Sequence, residues 1–515
     1  MKAQTRWIPA VLLVGVVAVA TIARVWGAWF GIEYGYRPHE PMHITIALNM
    51  LKTGNPNPHW FGYPSLLYYI LTVVYIPYYL VGVSQGLFRS LEDMVPPQQV
   101  FVGGAHVAYP TMFLAGRAPI ILMSILGVLL VYLIGRRLAN NTVGLMAAAF
   151  LALSPIDTLP SHFIQPNSPA TFFVLLAFYA CLYVYDTGRR RSYLIAGFLG
   201  GLSVAAKYNA APVVLVLVAA HLLRPGKRVL WDDNLLLGLA ACGLGFFAGS
   251  PYTFLDLPTF LNSIGPALHI YAAGDVGSMG NPLLASLKLL TLHTEGILPL
   301  LALAGGVWIV RRRDRAGWLV LVFAISYFLL TAPFQAAYER THMPLVPFLD
   351  LLAAMGIYLT AAAAVAHRPA LRRQTVVLAA AVALLAAAYP AVRTIQRDYY
   401  LSQEDIRTTA ARWIEQNIPE HSKIYEEAFS PVLDPARYEV LSDHWAGDRS
   451  IPWLKDQGVQ YVVLNEANYG NLAQDPASEA RWRQYQTFFR DLILVREFRG
   501  PFQERIGSLS IYAIP

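Results

Sequence analysis

Apolar residues in this chain are gathered into long uncharged runs separated by short basic or turn-forming segments, with no sustained two-residue alternation. That pattern predicts membrane-crossing helices rather than strands. Eleven runs, near 8–30, 116–134, 143–160, 169–185, 192–206, 208–223, 235–252, 284–308, 317–334, 344–366 and 375–392, each fit one crossing. A helix rises about 1.5 Å per residue against a hydrocarbon core of roughly 30 Å, so 192–206 and 208–223 are short. They are expected to meet below the outer surface at Lys207-Tyr208-Asn209. One more stretch, 65–83, is long enough to cross but would throw every later basic cluster to the wrong face, so it is laid along the outer leaflet, with a twelfth crossing as the alternative. Residues 31–115 then form one large outer loop that opens with an amphipathic surface helix over 42–52, Pro41 standing near its first turn.

After Tyr389 the pattern becomes that of a soluble domain. Ser402-Gln-Glu-Asp405 reads as a capping box opening a helix over 406–417, and 477–489 reads as a second helix. Runs at 423–428, 461–465, 492–498 and 509–514 read as strands. The expected fold class is an all-α polytopic membrane protein with outer-face juxtamembrane helices over residues 1–392 and a small extracytoplasmic α/β domain over 393–515.

Composition narrows the class. The chain of 515 residues is 56% hydrophobic and 14% charged, against about 25% charged in soluble proteins, which excludes a soluble enzyme as the whole answer. Long uncharged runs exclude an outer-membrane barrel. Residues 1–392 carry 25 Lys/Arg against 14 Asp/Glu, net +11, whereas 393–515 carry 14 against 18, net −4. Basic clusters such as Arg136/Arg137, Arg189–Arg191 and Arg311–Arg315 lie beside the runs, and the positive-inside rule places them, and the N-terminus, in the cytoplasm of a plasma or inner membrane. Charges so dispersed argue against nucleic acid. Cys181 and Cys242 both lie within apolar runs and are read as packing residues, and the first run is read as a retained helix.

This topology sends the chemically interesting side chains to one face: His39, Glu40, His43, His59, His162, Asn167, Lys207, His269, Glu339, Arg340 and His342. His39-Glu-Pro-Met-His43 matches H-E-x-x-H, but Pro41 is tolerated only at a helix start, so His39 is expected before the helix and zinc-protease geometry to fail. Glu40 or His39 is the candidate base, and His43 and His269 are candidate ligands of a metal site of another kind. An intramembrane lysine is a functional signal by default, which singles out Lys207. Arg340, just before a span, is placed to hold a phosphate.

The chain resembles the GT-C glycosyltransferases, specifically the glycosyltransferase 39 group of relatives of protein O-mannosyltransferases and lipid A aminoarabinose transferases. The resemblance is carried by Pro38-His39-Glu40-Pro41, by 53–66, by Gln165-Pro-Asn167-Ser-Pro, by Lys207-Tyr208-Asn209, by Ser250-Pro-Tyr252 with Asp256, and by Glu339-Arg340 followed by Pro344-Leu-Val-Pro347. It implies a multi-pass enzyme that moves a sugar from a polyprenyl-phosphate donor to an acceptor hydroxyl on protein, lipid or glycan at the extracytoplasmic face, with a divalent metal ion as the one further cofactor. Lys207, Tyr208 and Arg340 would bind the donor phosphate, Glu40 or His39 would act as base, and Asn167 would position the acceptor. The chain departs from the group's pattern where Asp-Glu is usual and His39-Glu40 stands, where an acid is common and Asn167 stands, and at Gly62, near the place of a metal-binding glutamate. These departures define the alternative: a catalytically silent protein of the same fold serving as an accessory subunit of a membrane complex.

Overall fold

The computed structural model describes residues 7–37, 39–97, 107–226, 232–273, 281–335, 338–366, 374–474, 478–500 and 507–515. Among them, six helical segments are long and apolar enough to cross a membrane, or eight if two bent pairs each count as one span. The shorter apolar helices Tyr208–Leu223, Asp233–Gly249 and Gly317–Thr331 complete the bundle. Polar caps start several of them: Asn140 accepts from Thr142 N and Val143 N, and Asp232 from Leu235 N.

Lipid offers no hydrophobic drive between helices, so the bundle relies on close packing. The Arg190–Ala206 and Asp233–Gly249 helices approach through glycines: a Cβ on Gly197 would lie 1.9 Å from the Gly238 carbonyl oxygen, and one on Gly201 would lie 2.1 Å from that of Cys242. Gly305 meets the Leu352 carbonyl in the same way, at 2.0 Å, where Leu298–Arg312 packs on Val346–Ala364.

Two expected crossings are broken. The 284–308 run is two helices, Pro282–Glu295 and Leu298–Arg312, bent by 110° at Gly296, whose φ of 61° lies in the left-handed region that favours glycine. The 143–160 run becomes Asn141–Ala152 and Pro155–Ser161, bent by 54°, because Ser154 caps a new helix with Pro155 at its first position. The 65–83 stretch is the helix Leu66–Ser84, packed on the helices His39–Thr53 and Thr111–Leu138. Pro41 falls inside the first turn of His39–Thr53, so His39 is the first helical residue and not, as expected, a residue ahead of the helix. The Gln374–Ser402 helix runs unbroken through the expected boundary at 392.

Two buried arginines of the bundle, Arg24 and Arg117, are paired with carboxylates. Arg24 is fully buried, and its five N–H groups reach Ser124 Oγ at 2.6 Å, the carbonyls of Ala20, Leu151 and Ala152, and Asp157 Oδ2 at 2.6 Å. Desolvating an ion costs several kcal/mol, so a lone arginine there would be untenable.

The tail carries a five-stranded sheet of β1 (Lys423–Glu427), β2 (Glu439–Asp443), β3 (Tyr461–Asn465), β4 (Ile493–Arg499) and β5 (Ser508–Ala513), in the order β2-β1-β3-β5-β4. β1 pairs in parallel with β2 and β3, and β5 pairs antiparallel with β3 and β4. Ile406–Asn417 buries Ile406, Ala410 and Ile414 on one face of the sheet, and Glu479–Asp491 buries Tyr485 and Phe488 on the other. The cap of the first helix is Asp405, which accepts from Arg407 N, while Ser402 closes the preceding helix instead of opening a capping box. The tail is tied to the first loop at this cap. Arg407, held by Asp405 at 2.7 Å, stacks 3.7 Å from the Tyr36 ring, and Tyr36 Oη lies 3.1 Å from Thr408 Oγ1.

Glu426 and Glu427 end β1 on opposite faces, both buried. Burial pushes Glu426 up to about 8 and Glu427 up to about 7, the latter opposed by hydrogen bonds from Tyr485, Ala446 and Asn465. Unfolded, both titrate near 4.3, so the folded tail binds more protons between the two values and loses stability as pH rises through them. The tail is expected to unfold at lower temperature at pH 8.5 than at pH 5, and Glu426→Gln is expected to flatten that dependence. Circular dichroism at a series of pH values measures both; a tail equally stable at the two ends contradicts the assignment.

Candidate active site

Lys207 closes the Arg190–Ala206 helix and adopts an extended backbone before the tight turn Tyr208–Ala210. Only 6% of it is exposed, and its Nζ donates to Asn167 Oδ1 at 2.5 Å. Asn167 starts the Asn167–Thr187 helix and is oriented by its own Nδ2, which donates to Gln165 Oε1 at 3.0 Å. Tyr208 Oη donates to the Phe61 carbonyl at 3.2 Å, bringing the first loop onto this turn. Arg340 lies in the short helix Glu339–His342, its guanidinium 4.3 Å from the Tyr338 ring centroid. The Lys207 ammonium and the Arg340 guanidinium interact electrostatically, as do Lys207 and His342. Asn167, Lys207 and Tyr208 thus adjoin where their helices end, a mouth of the bundle within electrostatic range of Arg340. Polar atoms around it are buried and lack protein partners: Ser168 Oγ, Asn209 Oδ1, Thr341 Oγ1 and His342 Nε2. Such atoms are costly unless water or a polar ligand meets them.

Glu40 is elsewhere engaged. Its carboxylate is 1% exposed, accepts from Arg117 Nε at 2.9 Å and Nη2 at 2.6 Å, and accepts from Ile164 N at 2.8 Å. Arg117 Nη1 donates to the carbonyls of Ala28 and Phe30. A carboxylate bound this way ties the first loop to the Thr111–Leu138 helix, a partner that its reading as a base did not include. His39, one residue earlier, is exposed at the helix start.

His43 is fully buried between Tyr63 and Tyr68, with ring centroids 5.8 and 5.6 Å away, and neither ring nitrogen has a protein partner. Burial, with His39 nearby, pushes it down to about 3, so it is neutral. His269 is exposed on the Leu257–Ala273 helix. Among the described residues no three His, Cys, Asp or Glu side chains are arranged to hold a metal ion.

Several buried charged groups did not stand out as candidates in the sequence. Arg397 clamps Glu339 through two hydrogen bonds of 2.9 and 2.7 Å, leaving Arg340 free of the ion pair with its neighbour. Arg117, Asp157, Glu295 and Asp350 are lone charges within or at the ends of apolar runs, and that signal was available in the sequence.

Residues 111–251 match the family model of dolichyl-phosphate-mannose-protein mannosyltransferases, a segment that includes Arg117, Asn167 and Lys207. No curated protein matches the chain. In three dimensions the chain is similar to the oligosaccharyltransferase of Archaeoglobus fulgidus in its apo form, with a TM-score of 0.51 at 15% identity over 100% of this chain and 75% of that one. AglB of the same organism, in complex with an inhibitory peptide and a dolichol-phosphate, gives 0.50 at 14% identity over 99% and 74%. ArnT of Cupriavidus metallidurans bound to undecaprenyl phosphate gives 0.49 at 13% identity over 99% and 98%. The chain therefore shares its fold with the oligosaccharyltransferase of Archaeoglobus fulgidus, and its 111–251 segment is similar in sequence to the dolichyl-phosphate-mannose-protein mannosyltransferases.

Proposed function

We propose that this protein transfers a sugar from a polyprenyl-phosphate donor to an acceptor hydroxyl at the extracytoplasmic face of a cell membrane. The observation that carries the reading is that Lys207 and Arg340, 133 positions apart in sequence, lie within electrostatic range of each other beside four buried polar atoms that lack protein partners among the described residues. In this reaction the acceptor loses its proton to a base and its oxygen bonds to the anomeric carbon. The carbon–oxygen bond to the phosphate breaks, and the departing lipid phosphate keeps the electron pair. The two cations stabilise that charge as it develops, and hydrogen bonds to charged groups are the strong ones. With Glu40 engaged by Arg117, His39 is the base in this reading, and an imidazole can accept a proton near neutral pH. The donor's tail would lie against the apolar helix faces.

The test is transfer of radiolabelled sugar from undecaprenyl phosphate by protein in nanodiscs, to a membrane extract as acceptor. Turnover lost in His39→Ala supports the proposal; failure both to turn over and to bind undecaprenyl phosphate overturns it. The locked Glu40 and the amide at position 167 favour a second reading, in which the protein holds the lipid phosphate without reaction as an accessory subunit. Stoichiometric co-purification with other membrane subunits and binding without turnover would decide for it.

A further inference from the structure

The two cations come from helices distant in the sequence, and their spacing needs a cause. Lys207 precedes the turn Tyr208–Ala210, and Arg340 precedes Thr341 in the short helix Glu339–His342. Between the two segments stands Tyr327, on the Gly317–Thr331 helix and fully buried. Asn209 Nδ2 donates to Tyr327 Oη at 2.8 Å, and Tyr327 Oη donates to the Thr341 carbonyl at 2.8 Å. One hydroxyl therefore accepts from the segment that carries Lys207 and donates to the segment that carries Arg340.

We infer that Tyr327 is a positioning residue for the anion site, a crosspiece that fixes the separation of Lys207 and Arg340 by gripping the residue two places after one and the carbonyl one place after the other. Like charges at one mouth repel, so without a crosspiece the two segments would relax apart and a bound phosphate would lose the simultaneous grip of both. The helix beneath the hydroxyl is itself steadied. Thr331 Oγ1 donates to the Tyr327 carbonyl at 3.0 Å, and the Tyr327 ring stacks on Phe323 at 5.4 Å. On the other side Arg397 holds Glu339 and so fixes the far end of the Arg340 segment. The crosspiece sets geometry and takes no proton from the substrate. Phenylalanine at 327 keeps the ring and removes only the hydroxyl, so the effect falls on the link.

The inference rests on the donor-phosphate reading, and the experiment separates the two. Undecaprenyl phosphate is titrated onto the full chain in nanodiscs, and the ³¹P resonance of the bound phosphate is recorded for wild type, Lys207→Ala, Tyr327→Phe, Asn209→Leu and the last two combined. Wild type binds and Lys207→Ala weakens binding if the reading holds. Tyr327→Phe is expected to weaken binding about tenfold, equivalent to about 1.4 kcal/mol, and to shift the ³¹P resonance. Asn209→Leu is expected to have a smaller effect, and the double variant to bind no more weakly than Tyr327→Phe alone, because both act through one hydroxyl. A general loss of packing would lower the unfolding temperature but leave the resonance of the remaining bound phosphate in place. Unchanged binding and resonance in Tyr327→Phe, with Lys207→Ala impaired, overturns the crosspiece. Unchanged binding in Lys207→Ala overturns the donor site itself. Should Tyr327→Phe fail to fold, Asn209→Leu alone decides, since wild-type affinity and resonance there contradict the inference.

Discussion

Lys207→Ala is expected to weaken undecaprenyl phosphate binding about a hundredfold, corresponding to roughly 2.7 kcal/mol, while leaving the ligand-free protein as stable as wild type or more so. The two halves of this expectation have one source. The lysine is buried, and its amine is held by the amide oxygen of Asn167, which orients the charge without neutralising it. Arg340 opposes that charge further. A buried cation in this position destabilises the fold until an anion arrives, so its removal relieves the fold and costs the ligand. Thermal unfolding with and without undecaprenyl phosphate tests both halves. A variant that loses stability on its own and still gains it from the lipid would mean that Lys207 serves the fold alone.

Glu40→Gln is expected to have the opposite profile, a loss of about 3–5 kcal/mol of stability, the usual cost of breaking a buried pair from one side. The substitution would leave the Arg117 guanidinium, 1% exposed, facing a neutral amide. It would also strip one end of a tie that joins Ala28, Phe30, the His39–Thr53 helix, Ile164 and the Thr111–Leu138 helix. Glu40→Gln combined with Arg117→Met is expected to be less destabilising than the sum of the two, since the second change removes the orphaned charge. Unfolding in detergent measures this. Wild-type stability in Glu40→Gln together with abolished transfer would return Glu40 to the role of base.

The contrast between these two residues shows how far the sequence carries. Runs of apolar residues and the placement of basic clusters follow directly from the solvent on each side of the helix, so the polytopic class, the short spans meeting at Lys207 and four of the five strands were legible. β2 was not, because Glu439-Val-Leu-Ser-Asp443 has acids at both ends and lies at the sheet edge, where only one neighbour stabilises it. The 110° corner at Gly296 was hidden because hydropathy averages over a window and does not register one left-handed glycine. Lys207 and Arg340 stood out as candidates by their charge beside apolar runs, and Asn167 through the family resemblance. The engagement of Glu40 by Arg117, 77 positions away, was out of reach, since no local pattern reveals which long-range partner a carboxylate finds. The same limit applies to Tyr327, whose hydroxyl looks like any other in an apolar run.

The contact between Tyr36 and Thr408 bridges 372 positions of chain. At roughly 5–20 residues per second, synthesis separates the two by about 20–70 s. Throughout that interval the first loop has no tail to close against, while the Glu40 tie to Arg117 needs only the next 77 positions to be made. Ribosome-bound chains halted before residue 405 should therefore already hold that inner tie yet leave the segment around Tyr36 open to protease, with protection arriving only as the last fifth of the polypeptide emerges.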